Sequence, residues 1–224
     1  MKQRSTKSIM NEQVIFKYMF CFLFVSYFFS CENKTVDYGL NEYYVEIVTA
    51  QTENIFLLDN GKKIFVTSDE NKKKYDSGDR VYINYTLLET TASGDLNVRI
   101  NGSTKIPLGK ITLTNESGIN SAPNEPVILE SVWLGSHYLN MQFYLNFKSF
   151  SHKVGLLADS TRLENDTIRL YFLHDSNNDP QGYPSHSYLS FDLKDILGEP
   201  KKARPISVQI NTSNYGNKTY GFEY

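Results

Sequence analysis

Residues 139 to 147 alternate without a break. Leu139, Met141, Phe143, Leu145 and Phe147 fall on one side; Asn140, Gln142, Tyr144 and Asn146 fall on the other. Successive side chains of an extended strand point to opposite faces, whereas a helix would scatter these residues around its axis. The segment therefore reads as a strand with one face against a core. Such a strand is stable only when others pair with it. Shorter runs of the same kind precede it at Tyr43 to Ala50, Ile55 to Leu58, Lys63 to Val66, Arg80 to Glu89 and Leu96 to Ile100. In the fourth, Val81, Ile83, Tyr85 and Leu87 alternate with Tyr82, Asn84 and Thr86. Asp59-Asn60-Gly61 separates the second run from the third, and Asn-Gly supplies the two positive-φ positions of a tight hairpin. Lys72-Lys73-Lys74 reads as a solvated loop.

These five runs predict a small closed barrel over residues 43–113. Residues 114–126 are dominated by Gly, Pro, Asn, Ser and Glu and read as a linker. Residues 127–224 carry further strands at Val127 to Glu130, Ser131 to Leu134, Ile168 to His174, Tyr188 to Asp192 and Ile206 to Asn211. Their spacing, with no sustained helical period, predicts an antiparallel β-sandwich. A short helix is expected around Asp192 to Leu197. The fold class is all-β: a small barrel followed by a sandwich.

The N-terminus is of another kind. Lys2, Arg4, Lys7 and Lys17 precede an uncharged, aromatic-rich run from Tyr18 to Phe29, followed by Ser30 and Cys31. A run of about a dozen residues is short of the ~20 that a spanning helix needs. A basic start, a short apolar stretch and a small residue describe a secretory signal over residues 1–30, with a tether over 31–42. Ser30-Cys31 resembles the lipobox of bacterial lipoproteins, in which the cysteine thiol takes a diacylglyceryl group; Cys31 is the expected lipidation site. The remaining cysteine, Cys21, lies inside the apolar run, so no disulfide is expected in the exported chain and its stability must come from packed cores. Export from a bacterium also makes the seven Asn-x-Ser/Thr triplets composition, not glycosylation sites.

Charge and motifs exclude several functions. The chain has 23 basic and 25 acidic residues, and four of the basic but one of the acidic precede residue 31, so the remainder carries a net −5. That balance opposes nucleic acid as a partner. Tyr82 and Tyr85, on opposite sides of their strand, also make a poor base-stacking platform. Asp175-x-Asn177-x-Asp179 has the spacing that opens a calcium loop, and His174 and His186 could add nitrogen ligands. Pro180 and His186, however, stand where glycine and glutamate are required. The stretch is read as a polar hairpin loop, and no metal or cofactor is assigned. No G-x-S-x-G, S-x-x-K, H-E-x-x-H or phosphate-binding loop occurs. A catalytic set could still be assembled from distant strands, because triads are defined by geometry. All but two of the sixteen tyrosines lie beyond residue 30. Tyr138 and Tyr144 are the candidates for a platform facing a protein or glycan ligand. Tyrosine also favours strands for their own sake. Trp133 reads as core.

The segments DSGDRVYINYTLLE (76–89), SVWLGSHYLNMQFYLNF (131–147), LYFLHDSNND (170–179) and SFDLKDIL (190–197) resemble those of the NigD-like proteins of Bacteroidota, in the same order. The resemblance implies a lipoprotein signal, an N-terminal OB-type barrel and a C-terminal β-sandwich. The family takes its name from an open reading frame in a bacteriocin gene cluster, and none of the four segments is a catalytic motif. The chain is thus expected to be a non-enzymatic, lipid-anchored protein of the outer membrane or cell surface. Its expected partners are the membrane, through its anchor, and a protein or glycan ligand. The alternatives are a periplasmic hydrolase and a bacteriocin-associated, immunity-type lipoprotein. Cys31 is followed by Glu32, Asn33 and Lys34, a single acid beside a base, which leaves the periplasmic face open.

Overall fold

Alternating burial builds the first half of the molecule. The computed structural model describes residues 39–69, 73–161, 167–198 and 203–224, so Cys31 and the N-terminal segment lie outside the described residues. Strands β1 (Tyr43–Thr52), β2 (Ile55–Leu58), β3 (Lys63–Asp69), β4 (Arg80–Thr90) and β5 (Leu96–Ile106) close into a barrel in the order β1-β2-β3-β5-β4. Val81, Ile83, Tyr85 and Leu87 of β4 and Leu96, Val98 and Ile100 of β5 are all but inaccessible and fill its interior with Val48, Phe56, Leu58 and Ile64. Register shifts in β1, β3 and along the β4–β5 pair give the sheet the local bends that closure requires. In the β2–β3 hairpin only Gly61 has positive φ, at 85°, and Leu58 accepts from the Gly61 N–H at 2.9 Å. The connection is thus a three-residue loop ending in a left-handed glycine, not the two-residue turn expected from Asn60-Gly61.

The second half is two facing sheets. One has five strands in the order β13-β12-β10-β9-β6: β6 (Ile111–Thr114), β9 (Lys153–Asp159), β10 (Ile168–Asp175), β12 (Pro205–Thr212) and β13 (Gly216–Glu223). The other has three, β11-β8-β7: β7 (Ile128–Gly135), β8 (Tyr138–Phe147) and β11 (Tyr183–Asp192). Leu139, Met141, Phe143, Leu189 and Phe191 project from the smaller sheet against Leu156, Leu170, Phe172, Ile206 and Val208 of the larger. The Phe143 and Phe172 rings meet edge to face at 5.5 Å. Most pairings are antiparallel, but β6–β9 and β10–β12 are parallel.

Three expectations are corrected. Strand β6 belongs to the sandwich and not to the barrel, because Ile111 to Thr114 pair with Leu156 to Asp159. The linker holds a short helix, α1 (Glu116–Ser121), whose Gly118 N–H is accepted by the Asn115 side chain at 3.0 Å. The polar stretch after β10 is not a hairpin loop: β10 and β11 lie in different sheets, and the stretch crosses between them. Its Asp179 carboxylate accepts the N–H groups of Lys148, Ser149 and Phe150 at 2.7–3.2 Å, fastening the crossover to the β8–β9 connection. The expected short helix is present as α2 (Lys194–Leu197). Among the described residues no helix is long and apolar enough to cross a membrane.

Candidate functional site

The face of β8 that alternation marks as polar is not all solvated. Tyr138, Asn140 and Ser190 stand at one end of the outer face of the three-stranded sheet, and the barrel covers them. Arg80, at the start of β4, is fully buried there. Its guanidinium grips Asp59 in a two-pronged contact at 2.7 and 2.9 Å, donates to Thr49 Oγ1 at 2.9 Å and reaches Asn140 Oδ1 at 3.0 Å. Ser190 Oγ donates to the same Asn140 oxygen at 2.7 Å, and Asn140 Nδ2 returns a bond to Asp59 at 3.2 Å. The Tyr138 ring lies 4.2 Å under the Arg80 guanidinium carbon. Burial pushes the Tyr138 phenol above its ordinary value, aided by Asp192 and opposed by Arg80. Gly135 completes the joint, since a side chain at that position would collide with the Asp59 carboxylate. Asp59, Thr49 and Arg80 come from the barrel and the other partners from the sandwich, so this buried network fastens one to the other.

Beside the joint lies a cleft of about 470 Å³, within the size range of ligand sites. It forms because two strands part. At Leu108 the chain runs alongside β11: Gly109 N donates to Ser190 O at 2.8 Å and Ser190 N to Pro107 O at 3.3 Å. Before residue 107 the chain leaves β11 as the end of β5. Residues Thr104 to Pro107 thus form one wall and His186 to Leu189 the other. Phe143, Leu145, Val154 and Leu189 supply an apolar floor, and Tyr82 closes the barrel side.

The polar groups of the lip are already engaged. The Tyr82 and Tyr188 rings approach to 4.7 Å, and His186 packs between Tyr188, at 4.6 Å, and Tyr144, at 4.5 Å. Gln142 donates to the Tyr188 hydroxyl at 3.3 Å, and His186 Nε2 lies 2.9 Å from Glu130 Oε2. Burial, and after it the hydrogen bond with Tyr82, raises the Tyr188 phenol far above its ordinary value, so it stays protonated. Lys105 meets Asp79 at 2.6 Å and holds that carboxyl below its usual range. Lys105, the cation of the lip, is already paired. The cleft is thus suited to an uncharged, largely apolar group and not to a phosphate or carboxylate.

The residues singled out in the sequence are dispersed. His174 is buried, with its Nε2 3.0 Å from His152 Nδ1, while His186 belongs to the other sheet. Asp175 accepts from the Asn177 N–H at 2.8 Å, and Asp179 is occupied as described, so the three oxygen-bearing residues do not converge. Among the described residues no three His, Cys, Asp or Glu side chains are grouped to hold an ion. Tyr138 is buried under Arg80 and so is no exposed platform, whereas Tyr144 is half-buried against His186. Trp133 lies opposite Asn140 on the outer face of its sheet, outside the sandwich core where it was expected. Tyr85 is inside the barrel and Tyr82 outside it, on opposite sides as the alternation required. Ser136, His137 and Asp192 lie in a row, with Ser136 Oγ 3.1 Å from His137 Nδ1. The 3.7 Å from His137 Nε2 to Asp192 Oδ2 exceeds a hydrogen bond, and the group sits on the β7–β8 turn, away from the cleft lining. No motif marks Arg80, a charged residue opening an apolar strand, although Asp59 of the Asp59-Asn60-Gly61 turn is its partner.

Comparison with family models matches residues 44–106 to the NigD-like N-terminal OB domain and residues 110–224 to the NigD-like C-terminal beta sandwich domain. No curated protein matches the chain. Among solved structures, a protein of unknown function from Bacteroides vulgatus is 28% identical with a TM-score of 0.70, covering 82% of this chain and 91% of its own. A NigD-like immunity protein from Bacteroides caccae is 23% identical with a TM-score of 0.60, covering 84% and 99%. A Bacteroides fragilis protein named as a lipoprotein shares 13% identity and a TM-score of 0.59, covering 82% and 96%. The last two likenesses speak for the fold alone.

Proposed function

Since this chain belongs to the NigD-like family, with its OB domain and its beta sandwich both matched, we propose that it is an exported, non-catalytic binding protein. It is anchored to the outer membrane through lipid on Cys31 and takes its ligand in the cleft between barrel and sandwich. The observation that carries this reading is the cleft itself. It has an apolar floor, a tyrosine-rich lip and a lysine already paired with Asp79, and it stands beside a buried network that holds its two walls in place. A mostly apolar cleft, whose lip tyrosines pack on one another and on His186, is built to hold rather than to react. The anchor is supported by Ser30-Cys31 after a short apolar run. Two or more acyl chains hold a protein stably at a bilayer where one does not.

The test is a photo-reactive benzoylphenylalanine placed at Thr104, on the lip, in intact cells of the source bacterium. Thr219, on the far edge strand β13, serves as control. An adduct that forms at residue 104 and not at 219 is expected; none at either would sink the cleft reading. In the same cells Cys31→Ala should leave the membrane fraction, and unchanged fractionation would remove the anchor.

A further inference from the structure

The inference rests on the cleft reading above and names what fills the cleft. Ser190 donates its N–H to Pro107 and accepts from Gly109, so both its backbone polar groups point away from β8. These groups alternate from side to side along a strand, so Tyr188 and His186 aim theirs in the same outward direction. Strand β11 is the edge of its sheet, and among the described residues no backbone hydrogen bond reaches those groups. They stand in the wall of the cleft, where the end of β5 has drawn away. The open stretch is short. Pro184 has no N–H to offer at one end, and Pro107 to Gly109 cover Ser190 at the other. Unpaired donors and acceptors at strand spacing are a template for another strand.

We propose that the β11 edge at His186 to Tyr188 binds an extended peptide segment of a partner protein. The segment adds beside β11 as a further strand and places an uncharged apolar side chain on the floor formed by Phe143, Leu145, Val154 and Leu189. It continues the line of pairing that Leu108 begins. A small apolar molecule would fill the floor and leave the edge unsatisfied; a peptide satisfies both. Backbone bonds supply affinity in this mode, and the pocket beside the edge selects the side chain. Lys105 is already paired with Asp79, which leaves that cation no acidic side chain to answer.

The experiment pans a phage library of random heptapeptides on the full lipidated chain in detergent, then maps the enriched peptides by hydrogen exchange. Expected are sequences with alternating apolar residues that slow exchange across 183–189. His186→Pro removes one outward N–H and no bond to β8, so it should weaken those peptides about tenfold, the worth of one backbone hydrogen bond. His186→Ala removes the imidazole and keeps the N–H, so it should weaken the peptides less than His186→Pro does; an equal loss would assign the binding to the ring and not to the strand edge. Ser187→Trp, which fills the cleft from its lining, should weaken binding at least as much as His186→Pro, and it carries the test where the proline variant fails to fold. No enrichment, protection elsewhere, or binding that survives both substitutions in folded protein would overturn the proposal. A Thr104 adduct without peptide binding would remove the strand and leave the cleft. Loss of both would remove the two readings together.

Discussion

Arg80 is the residue whose removal the molecule should feel most widely. It is fully buried, with four polar contacts, two to Asp59 and one each to Thr49 and Asn140, and with Tyr138 beneath it. Removing one partner of a buried ion pair costs more than the pair is worth, because the other charge is left behind. Asp59 keeps 19% of its side-chain exposure, so the loss in Arg80→Met should sit at the low end, about 3 kcal/mol by urea denaturation. Arg80→Lys keeps the charge but not the fork and should fall between the two. His174 is a second buried polar residue, with His152 and the Glu125 carbonyl on its two ring nitrogens and Asp179 beyond His152. Burial pushes its imidazole below the ordinary 6.5, and the neighbouring His152 adds to that. The folded chain therefore takes the proton less readily than the unfolded one. Its contribution to stability is complete above about pH 6.5 and is lost as pH falls from there toward the folded value. Asp179 titrates in a separate window. Burial would raise its carboxyl, but the N–H groups of residues 148–150 and His152 outweigh that and hold it below the ordinary 3.8. Urea midpoints taken between about pH 7.5 and 5.5 should decline in the parent and flatten in His174→Gln. An equal slope in both would refute the assignment. Arg80 carries no mark in the sequence, and His174 and Asp179 stand out there only as ligand types, since burial of a polar side chain depends on what packs over it.

At the scale of the element, alternation reported which side of a strand is buried but not which strand lies beside it. Strand β8 and the first strands of the barrel were legible for that reason. Strand β9 was not: Gly155 to Asp159 are all buried, a continuous run without a period, because both of its faces are covered. Strand β13, with Asn, Lys and Thr on a sheet edge, has too little apolar content to be recognised. The crossover after β10 was mistaken for a hairpin because its polar residues serve either connection. Its function in the fold is carried by Asp179, which gathers three consecutive N–H groups of the β8–β9 connection. Asp179→Ala should speed amide exchange at residues 148–150 while β12 and β13, far along the same sheet, keep their rates. Exchange faster throughout the sandwich would mean that the crossover stabilises the core and not only the connection. The cleft was illegible for a related reason. It arises where β5 and β11 separate beyond Leu108, and no single segment encodes the divergence of two strands.

Across the whole molecule, the two cores are complete in themselves, and the junction between them is polar. Hydrophobic packing is non-directional and would tolerate a range of angles between barrel and sandwich. A network of directed bonds on Arg80, Asp59 and Asn140 tolerates few, and the cleft owes its shape to the angle that results. Gly135 allows a direct test, because it lies in the joint and not in the cleft lining, and its Cβ position is occupied by the Asp59 carboxylate. Gly135→Val should displace Asp59 and break its grip on Arg80, leaving both cores intact. Calorimetry should then resolve the single transition expected of the parent into two, with the barrel, the shorter of the two domains at Tyr43–Ile106, melting first, as about 60% burial predicts for so small a domain. The same variant should lose the Thr104 adduct, although no group that touches the ligand has changed. If the transition splits and the adduct persists, the angle between the domains does not shape the site. A variant that melts in one step and keeps its adduct would show that the apolar contacts around the joint, and not its bonds, set the angle.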